Sequence, residues 1–186
     1  MGKFIVIEGL DGAGKTTLAT ALAARIPNSV HVREPGGTPT AEAIRAIVKD
    51  GTLVGKETSI FGEILLMFAA RSYLGSQIKN HLKEGHTVVC ERWIHSTYIY
   101  QGVDDATVEL IDSLIAQLDL PTPDLAVLIK APERDVDARG EPDHLDIRSK
   151  SLDVEWDDPF WESLAEHTMV ITRDATAEDI CHEVGL

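Results

Sequence analysis

Gly9-Leu10-Asp11-Gly12-Ala13-Gly14-Lys15-Thr16 is the stretch of sequence that decides the fold. It follows the apolar run Phe4 to Ile7, which has the composition of a buried strand, and it precedes a segment with helical spacing. A strand, a loop that fits G-x-x-x-x-G-K-[ST] and a helix form the context in which this pattern binds phosphate. The sequence therefore predicts a phosphate-binding loop at the amino end of a helix.

Apolar runs of similar length recur along the chain between longer segments that have helical spacing. The later runs are Val30 to Val32, Thr87 to Cys90, Leu125 to Ile129 and Met169 to Ile171. This alternation is typical of a parallel sheet with helices on both faces. We expect an α/β fold with a five-stranded parallel sheet in three layers, formed as a single domain over residues 1–186. Helices are predicted at Thr16 to Arg25, Thr40 to Lys49, Ile60 to Lys83, Ala106 to Leu118, Glu133 to Arg139, Asp157 to His167 and Ala177 to Val184.

The composition disfavours several classes of protein. Of the 186 residues, 44% are hydrophobic and 26% are charged, as in ordinary globular proteins, and the formal net charge is −14. Such a surface repels nucleic-acid polymers, although a small phosphate ligand can bind where backbone N–H groups and a few cations converge. The sequence shows no signal-peptide pattern and no membrane-spanning apolar run, and Cys90 and Cys181 are expected to be buried thiols. We expect a cytoplasmic protein that does not associate with membranes.

The phosphate loop has the groups that hold a nucleoside triphosphate. Its N–H groups can surround a phosphate at the helix N-terminus, the Lys15 ammonium can reach the β- and γ-oxygens, and the Thr16 hydroxyl can bind Mg²⁺. GTPases, motors and small-molecule kinases share such a loop, but the sequence lacks an N-K-x-D tetrapeptide and is short for a motor domain. A small kinase is the leading class. The predicted ATP contacts are Gly9, Asp11, Gly12, Ala13, Gly14, Lys15, Thr16 and Thr17.

Four further segments, together with the phosphate loop, resemble the thymidylate kinase family in order and spacing along nearly the whole chain. They are Arg33-Glu34-Pro35-Gly36-Gly37-Thr38, Ala69-Ala70-Arg71, Glu91-Arg92-Trp93 with Ser96-Thr97-Tyr98-Ile99-Tyr100-Gln101-Gly102, and Pro123-Asp124-Leu125. The resemblance implies a P-loop kinase fold with a short lid, ATP-dependent phosphorylation of dTMP to dTDP for dTTP synthesis, and Mg²⁺ as cofactor. It also implies a homodimer, for which Leu65, Leu66 and Tyr73 offer apolar positions, unless these side chains pack on the sheet instead.

The acceptor nucleotide is expected at the carboxyl ends of the strands. Arg92 follows the third strand there and can bind the acceptor phosphate through two N–H groups. By resemblance, Asp11 lies near the 3′-hydroxyl and the Mg²⁺ shell, and Arg71 contacts the base. Thr97 can bond to the pyrimidine edge, and Tyr100 can crowd the ribose 2′ position. The predicted acceptor contacts are Asp11, Arg33, Pro35, Met67, Arg71, Glu91, Arg92, Ser96, Thr97, Tyr100 and Gln101, with Thr16 and Glu91 as metal ligands, partly through water.

Phosphoryl transfer also requires positive charge over the transferred group. The phosphate loop has Gly12 at its variable position, and in the family this pattern accompanies an arginine from the lid. The polar stretch at residues 140–153 is the predicted mobile lid. Arg139 is the first choice for the lid arginine and Arg148 the second, although Arg148 could instead pair with a surface carboxylate. The predicted catalytic set is Lys15, Arg92, Arg139, Asp11 and Arg148.

Two positions depart from the family pattern and keep other hypotheses open. Glu91 stands where the family usually has Asp, and Met67 stands where an aromatic residue stacks on thymine. A thioether is more flexible and less shape-specific than a ring, so a kinase for another or modified deoxypyrimidine monophosphate, such as 5-hydroxymethyl-dUMP, is the second hypothesis. A third is a P-loop module that binds nucleotide without turnover, which the intact Lys15, Thr16 and Arg92 disfavour.

Overall fold

A parallel sheet with helices on both faces forms the centre of the molecule, and the prediction of this fold is confirmed. The computed structural model describes residues 2–49, 59–130, 152–172 and 174–183. Within these residues the sheet has five parallel strands in the order β2-β3-β1-β4-β5. The strands are β1 Phe4–Glu8, β2 Ser29–Arg33, β3 Thr87–Glu91, β4 Leu125–Lys130 and β5 Thr168–Thr172. Because β1 lies beside β3, with Ile7 opposite Glu91, the segments that follow these two strands are neighbours in space.

Alternating side chains of the strands separate the core into two layers. Phe4 and Val6 of β1 point into one layer, and Ile5 and Ile7 point into the other. All four side chains are fully buried, which explains why the strand is apolar at every position. The described helices are α1 Lys15–Arg25, α2 Pro39–Lys49, α3 Ile60–Lys83, α4 Ile94–Gln101, α5 Asp105–Gln117 and α6 Ala177–Glu183.

Two helix predictions need correction. The helix α4 was not predicted, because all eight of its residues are buried and it therefore shows no polar face in the sequence. The predicted α-helix at Asp157 to His167 is wrong, since the chain forms a shorter 3-10 helix, Pro159–Leu164. Asp158 caps that turn by accepting from the N–H of Phe160 at 2.8 Å, and the chain is extended again at Ala165 before β5 begins. The predicted helix at residues 133–139 lies outside the described residues.

The long helix α3 has a defined start and a defined end. The Ser59 hydroxyl caps its start by accepting from the N–H of Gly62 at 3.1 Å. At its end Gly85 has a φ of 86°, and its N–H donates to the carbonyl of Leu82 at 3.1 Å. The N–H of His86 donates to the carbonyl of His81 at 2.9 Å. These two bonds form a Schellman motif, so the turn from α3 into β3 is fixed by the backbone.

The two cysteines have different surroundings. Cys90 is buried in β3 and Cys181 is half-buried in α6, and neither forms a disulfide within the described chain. Burial raises the pKa of the Cys90 thiol well above its ordinary value. The prediction of thiols agrees with the structure, although only Cys90 is fully buried. In the part of the chain that the structure describes, no helix is both long and apolar enough to cross a bilayer.

Candidate active site

The phosphate loop joins β1 to α1 through a turn that requires glycine. Gly12 and Gly14 have positive φ angles of 81° and 101°, and α1 begins directly at Lys15. A Cβ at Gly14 would meet no described atom within 4 Å, so the backbone angle, and not crowding, selects glycine there. This geometry leaves the first N–H groups of α1 available to an anion.

Lys15 lies against the loop that precedes it. Its ammonium donates to the carbonyl of Gly9 at 2.9 Å and to that of Leu10 at 2.8 Å, and it lies 3.8 Å from Oδ1 of Asp11. The side chain is almost fully buried. Burial, reinforced by the nearby Arg92 charge, lowers the pKa of Lys15 to about 7. A phosphate group placed in the loop would favour the charged form of this lysine.

Arg92 is the centre of a polar cluster beside the phosphate loop. It has a φ of 68°, which turns the chain sharply at the end of β3. Its Nη2 donates to Oδ1 of Asp11 at 2.5 Å and to the hydroxyl of Tyr100 at 3.2 Å, and its Nη1 donates to the hydroxyl of Ser96 at 3.0 Å. The Tyr100 hydroxyl in turn donates to Oδ2 of Asp11 at 2.9 Å. Four residues predicted separately to contact the acceptor are therefore in mutual contact.

Asp11 is ionised in this cluster. Its burial opposes ionisation, but the charges of Arg92 and Lys15 and the Tyr100 hydrogen bond outweigh that effect and lower the pKa of Asp11 to about 2. The structure thus brings Asp11 of the phosphate loop and Arg92, which follows β3, into one ion pair. An acceptor phosphate would take over part of the Arg92 contact now made by Asp11.

Oxygen ligands suited to Mg²⁺ lie on the other side of the loop. The Thr16 hydroxyl donates to Oε2 of Glu91 at 2.7 Å, and Nε2 of His31 lies 2.8 Å from Oε1 of the same carboxylate. A hydroxyl and a carboxylate are the hard oxygen ligands that Mg²⁺ prefers. Glu91 is one methylene longer than the family's usual Asp and still reaches Thr16, so the predicted pair of metal ligands is adjacent in the fold.

Glu8 is an important residue that the sequence analysis did not identify. It is fully buried at the end of β1, where Oε1 accepts from the N–H of Trp93 at 2.6 Å and from the N–H of Ser96 at 3.2 Å. Its Oε2 accepts from the Ser96 hydroxyl at 2.8 Å. A carboxylate at this place satisfies free N–H groups at the start of α4. The available signal was a single charged residue at the end of a strand that is otherwise entirely apolar.

Arg71 lies at the bottom of the acceptor region, fully buried. Its Nη2 donates to Oε2 of Glu34 at 3.0 Å, to the carbonyl of Trp93 at 3.2 Å and to Oγ1 of Thr97 at 2.8 Å. Its Nε lies 2.6 Å from Oε1 of Glu34, at an angle unsuited to a hydrogen bond. Among the described residues Nη1 has no hydrogen-bond partner. Nη2 of the guanidinium is thus held by the protein, whereas Nη1 is a buried donor without a described hydrogen-bond partner.

The two remaining predicted acceptor contacts near β2 differ in exposure, since Arg33 is exposed and Pro35 is buried. Arg33 lies opposite Glu91 in the sheet register, and its guanidinium forms an ion pair with Glu42 at 3.2 Å. The carbonyl of Pro35 accepts from Nη1 of Arg45 at 2.8 Å. Among the predicted acceptor contacts, all of which the structure describes, Arg33 is therefore the one whose side chain is exposed.

Two predicted contacts lie on helices. Met67 is buried on α3, one helical turn before Arg71. Gln101 is fully buried at the end of α4, where its Nε2 donates to Oε2 of Glu63 at 3.3 Å. Oε1 of Gln101 is buried and lacks a hydrogen-bond partner in the described part of the chain. By contrast Tyr98, which could have been a site residue, packs against Phe160 with ring centroids 4.9 Å apart.

Behind the acceptor region His95 is expected to make the folded state sensitive to acid. Its ring is fully buried and stacks on Trp161 with centroids 6.2 Å apart, and neither ring nitrogen has a described hydrogen-bond partner. Burial lowers the pKa of His95, and Glu8 and Arg71 act on it in opposite directions. Below pH ~6.5 the unfolded chain gains a proton that the folded chain resists, so folding weakens as the pH falls.

Urea unfolding measured from about pH 7 down to pH 5 checks this expectation. The free energy of unfolding should fall more steeply for the wild type than for His95→Phe, by up to about 1.4 kcal/mol per pH unit. His182→Ala, which removes an exposed imidazole, should follow the wild type. Parallel profiles for wild type and His95→Phe would contradict the prediction.

A cleft of about 310 Å³ adjoins the phosphate loop and was not predicted. It lies between α1 and the segment that leads from β5 into α6. Its lining combines loop, strand and helix residues, namely Ala13, Gly14, Thr17, Leu18, Ala21, Arg25, Ile129, Ile171, Thr172, Ala175, Thr176 and Ala177. The predicted lid arginines, Arg139 and Arg148, lie outside the described residues, as does the predicted lid except for its last two residues.

Comparisons with known proteins agree with this geometry. The thymidylate kinase family model matches residues 7–175. The thymidylate kinase of Baumannia cicadellinicola is 38% identical, over 93% of this chain and 87% of that protein, and the thymidylate kinase of Chromohalobacter salexigens is 38% identical, over 75% and 70%. The crystal structure of thymidylate kinase from Ehrlichia chaffeensis superimposes with a TM-score of 0.73 at 27% identity, covering all of this chain and 99% of that one. The chain therefore belongs to the thymidylate kinase family.

Proposed function

We propose that the chain transfers the γ-phosphoryl group of ATP to dTMP and so forms dTDP in deoxynucleotide metabolism. The observation that carries this proposal is the cluster of Asp11, Arg92 and Tyr100, which joins the phosphate loop to helix α4. A kinase for two nucleotides needs such a junction, because the donor and acceptor phosphates must be brought into line.

The donor side of the site fits ATP. The loop N–H groups and Lys15 bind the β- and γ-phosphates, and the cleft of about 310 Å³ beside the loop accommodates the adenine base. Thr16 and Glu91 would hold Mg²⁺, which would neutralise charge on the phosphates when bound. ATP as co-substrate follows from the family, and Mg²⁺ is part of our proposal.

The acceptor side fits a deoxypyrimidine monophosphate. Arg92 binds the acceptor phosphate. Its positive charge reduces the repulsion between the two anionic nucleotides, which is the main electrostatic obstacle to the reaction. Nη1 of Arg71 is a donor without a described partner, and a carbonyl of the pyrimidine supplies the hydrogen-bond acceptor. Tyr100, held by Asp11 and Arg92, occupies the ribose side of the pocket and favours a sugar without a 2′-hydroxyl.

In the reaction an oxygen of the dTMP phosphate attacks the γ-phosphorus, and the bond from that phosphorus to the bridging β,γ-oxygen breaks. The electron pair remains on that oxygen, and ADP leaves. Lys15 and Arg92 stabilise the negative charge on the transferred group, and the lid arginine adds to this stabilisation. Arg139 stays our first choice for that residue and Arg148 our second, in a lid over residues 140–153.

The acceptor range tests the function. Among dTMP, dUMP, 5-hydroxymethyl-dUMP and dCMP, we expect dTMP to give the highest kcat/KM in a coupled ADP-release assay. The methyl group alone should favour dTMP over dUMP by roughly tenfold or more. Met67→Phe should raise kcat/KM for dTMP by a factor of ~2–10, because a ring stacks on thymine better than a flexible thioether. Met67→Leu is the matched control, since it preserves apolar volume without a ring.

Two outcomes would change the proposal. A higher kcat/KM for 5-hydroxymethyl-dUMP than for dTMP would favour the kinase of a modified nucleotide. Binding of ATP and dTMP without any ADP release would favour a non-catalytic nucleotide-binding module. In either case the location of the two nucleotides would stay as proposed, because it depends on the phosphate loop and on Arg92.

A homodimer formed through α3 is also part of the proposal. Three large apolar side chains of this helix remain in solvent, with Phe61 46% exposed and Leu65 and Tyr73 each 53% exposed. They lie within about a third of the helix circumference, which makes a continuous apolar stripe suited to a two-fold interface. Leu66, also predicted to take part, is half-buried. A single domain over residues 1–186 and a cytoplasmic location complete the proposal.

A further inference from the structure

Three potential metal ligands lie together at the carboxyl end of α3, outside the active site. His81 belongs to the last turn of the helix, Glu84 is its C-cap residue, and His86 immediately precedes β3. One ligand atom from each residue lies within 4.8 Å of the other two. Among the described residues, no other three His, Cys, Asp or Glu side chains bring their ligand atoms this close together.

The backbone fixes the relative positions of the two histidines. The Schellman motif centred on Gly85 joins the N–H of His86 to the carbonyl of His81, so the two side chains emerge on the same side of the turn. Their ring centroids are 5.7 Å apart at an interplanar angle of 88°. Apolar side chains often meet across this motif, but here two imidazoles occupy the positions. Little conformational freedom of the chain would be lost on binding a ligand there.

The ligand atoms are also spaced as a small cation requires. Oε2 of Glu84 lies 3.5 Å from Nδ1 of His86 and 4.0 Å from Nδ1 of His81. Both Nδ1 atoms are buried and have no hydrogen-bond partner among the residues described. Two ligands at about 2.0–2.1 Å from a tetrahedral Zn²⁺ are roughly 3.4 Å apart, so the Glu84–His86 distance already fits and His81 would have to move closer. Buried polar atoms without partners are otherwise uncommon in folded proteins.

We propose that His81, Glu84 and His86 bind Zn²⁺ or a similar transition-metal dication. Two imidazole nitrogens and one carboxylate suit such ions, whereas Mg²⁺ prefers oxygen ligands alone. The net charge of −14 favours the approach of any cation. The three residues precede β3, and the active-site residues follow its opposite end, about 16 Å away along a five-residue strand. The ion would therefore connect α3 to β3 without taking part in phosphoryl transfer.

Calorimetric titration of Zn²⁺ into the untagged full chain, with excess Mg²⁺ present to occupy the active site, tests this proposal. We expect one Zn²⁺ per chain for the wild type. His81→Ala and His86→Ala should each weaken binding by at least about tenfold, because each removes one of three ligands. Glu84→Gln, which preserves the shape of the side chain, should also weaken binding. His182→Ala and His31→Ala are controls that should leave the Zn²⁺ affinity unchanged.

Thermal unfolding provides a second measurement, since a ligand that binds only the folded state raises Tm. Without metal, the His86→Ala variant should unfold close to the wild-type Tm, because the backbone of the turn is set by Gly85. With Zn²⁺, Tm should rise for the wild type and not for His86→Ala. Equal Zn²⁺ affinity in the wild type, His81→Ala and His86→Ala would overturn the proposal. Loss of binding in His31→Ala would also overturn it, because the ion would then occupy the carboxylate site of Glu91.

Discussion

We expect Arg92→Met to lower kcat/KM for dTMP by at least about a thousandfold, since arginines that stabilise a transferring phosphoryl group contribute on this scale. Methionine preserves an unbranched apolar stem and removes the guanidinium. The loss should have two sources. The acceptor phosphate loses its cation, and Asp11 loses the partner that lies 2.5 Å from its carboxylate.

Steady-state kinetics with varied dTMP at saturating ATP gives the measurement. Both kcat and kcat/KM should fall, because we propose that Arg92 contacts the acceptor before and during transfer. Lys79→Met is a matched control, since Lys79 pairs with Asp119 at the far end of α3 and its replacement should change kcat/KM little. A fall of less than about tenfold for Arg92→Met would contradict the role assigned to Arg92.

The second large effect is expected at the buried ion pair of Arg71 and Glu34. Arg71→Met should lower the free energy of unfolding by about 3–5 kcal/mol, because Glu34, whose pKa burial already raises to about 7, would stay buried without its counterion. The side chains of this pair are 0% and 1% exposed, so solvent does not screen the loss. The same variant should raise KM for dTMP, since it removes the donor that we propose for the contact with the base.

The ion pair between Arg25 and Glu178 offers the matched control for stability. Its atoms are 3.7 Å apart, and the side chains are 53% and 79% exposed. Arg25→Met should therefore cost less than about 1 kcal/mol in the same urea titration. A loss below about 1 kcal/mol for Arg71→Met as well would show that the buried pair contributes no more than a surface pair.

The sequence predicted those parts of the fold that depend on local pattern. The phosphate loop, the five strands and the order of the site segments were accessible because each depends on a few neighbouring residues. The helix α4 was not, because full burial removes the polar positions that reveal a helical period. The 3-10 helix at Pro159–Leu164 was predicted as a longer α-helix, since a short 3-10 helix and an α-helix can begin with the same residues.

Contacts between distant residues could not be read from local pattern. Glu34 precedes the turn-forming residues Pro35-Gly36-Gly37, and its partner Arg71 is 37 positions away. Glu8 looked like the end of a strand, and its partners Trp93 and Ser96 follow more than 80 residues later. The pairing of β1 with β3 brings Glu8 to its partners, whereas the contact of Glu34 depends on where helix α3 packs.

The position of Glu8 limits how the acceptor preference of this protein can be redesigned. Its carboxylate belongs to the strand that presents ATP, yet it holds the amino end of the helix that carries Ser96, Thr97 and Tyr100. A graft of residues 94–101 from a relative would import a helix without the residue that anchors it in that relative. Substitution of Met67 avoids that mismatch, whereas an exchange of the helix must include residue 8. The strand that leads to the phosphate loop and the helix on the acceptor side therefore have to be changed together.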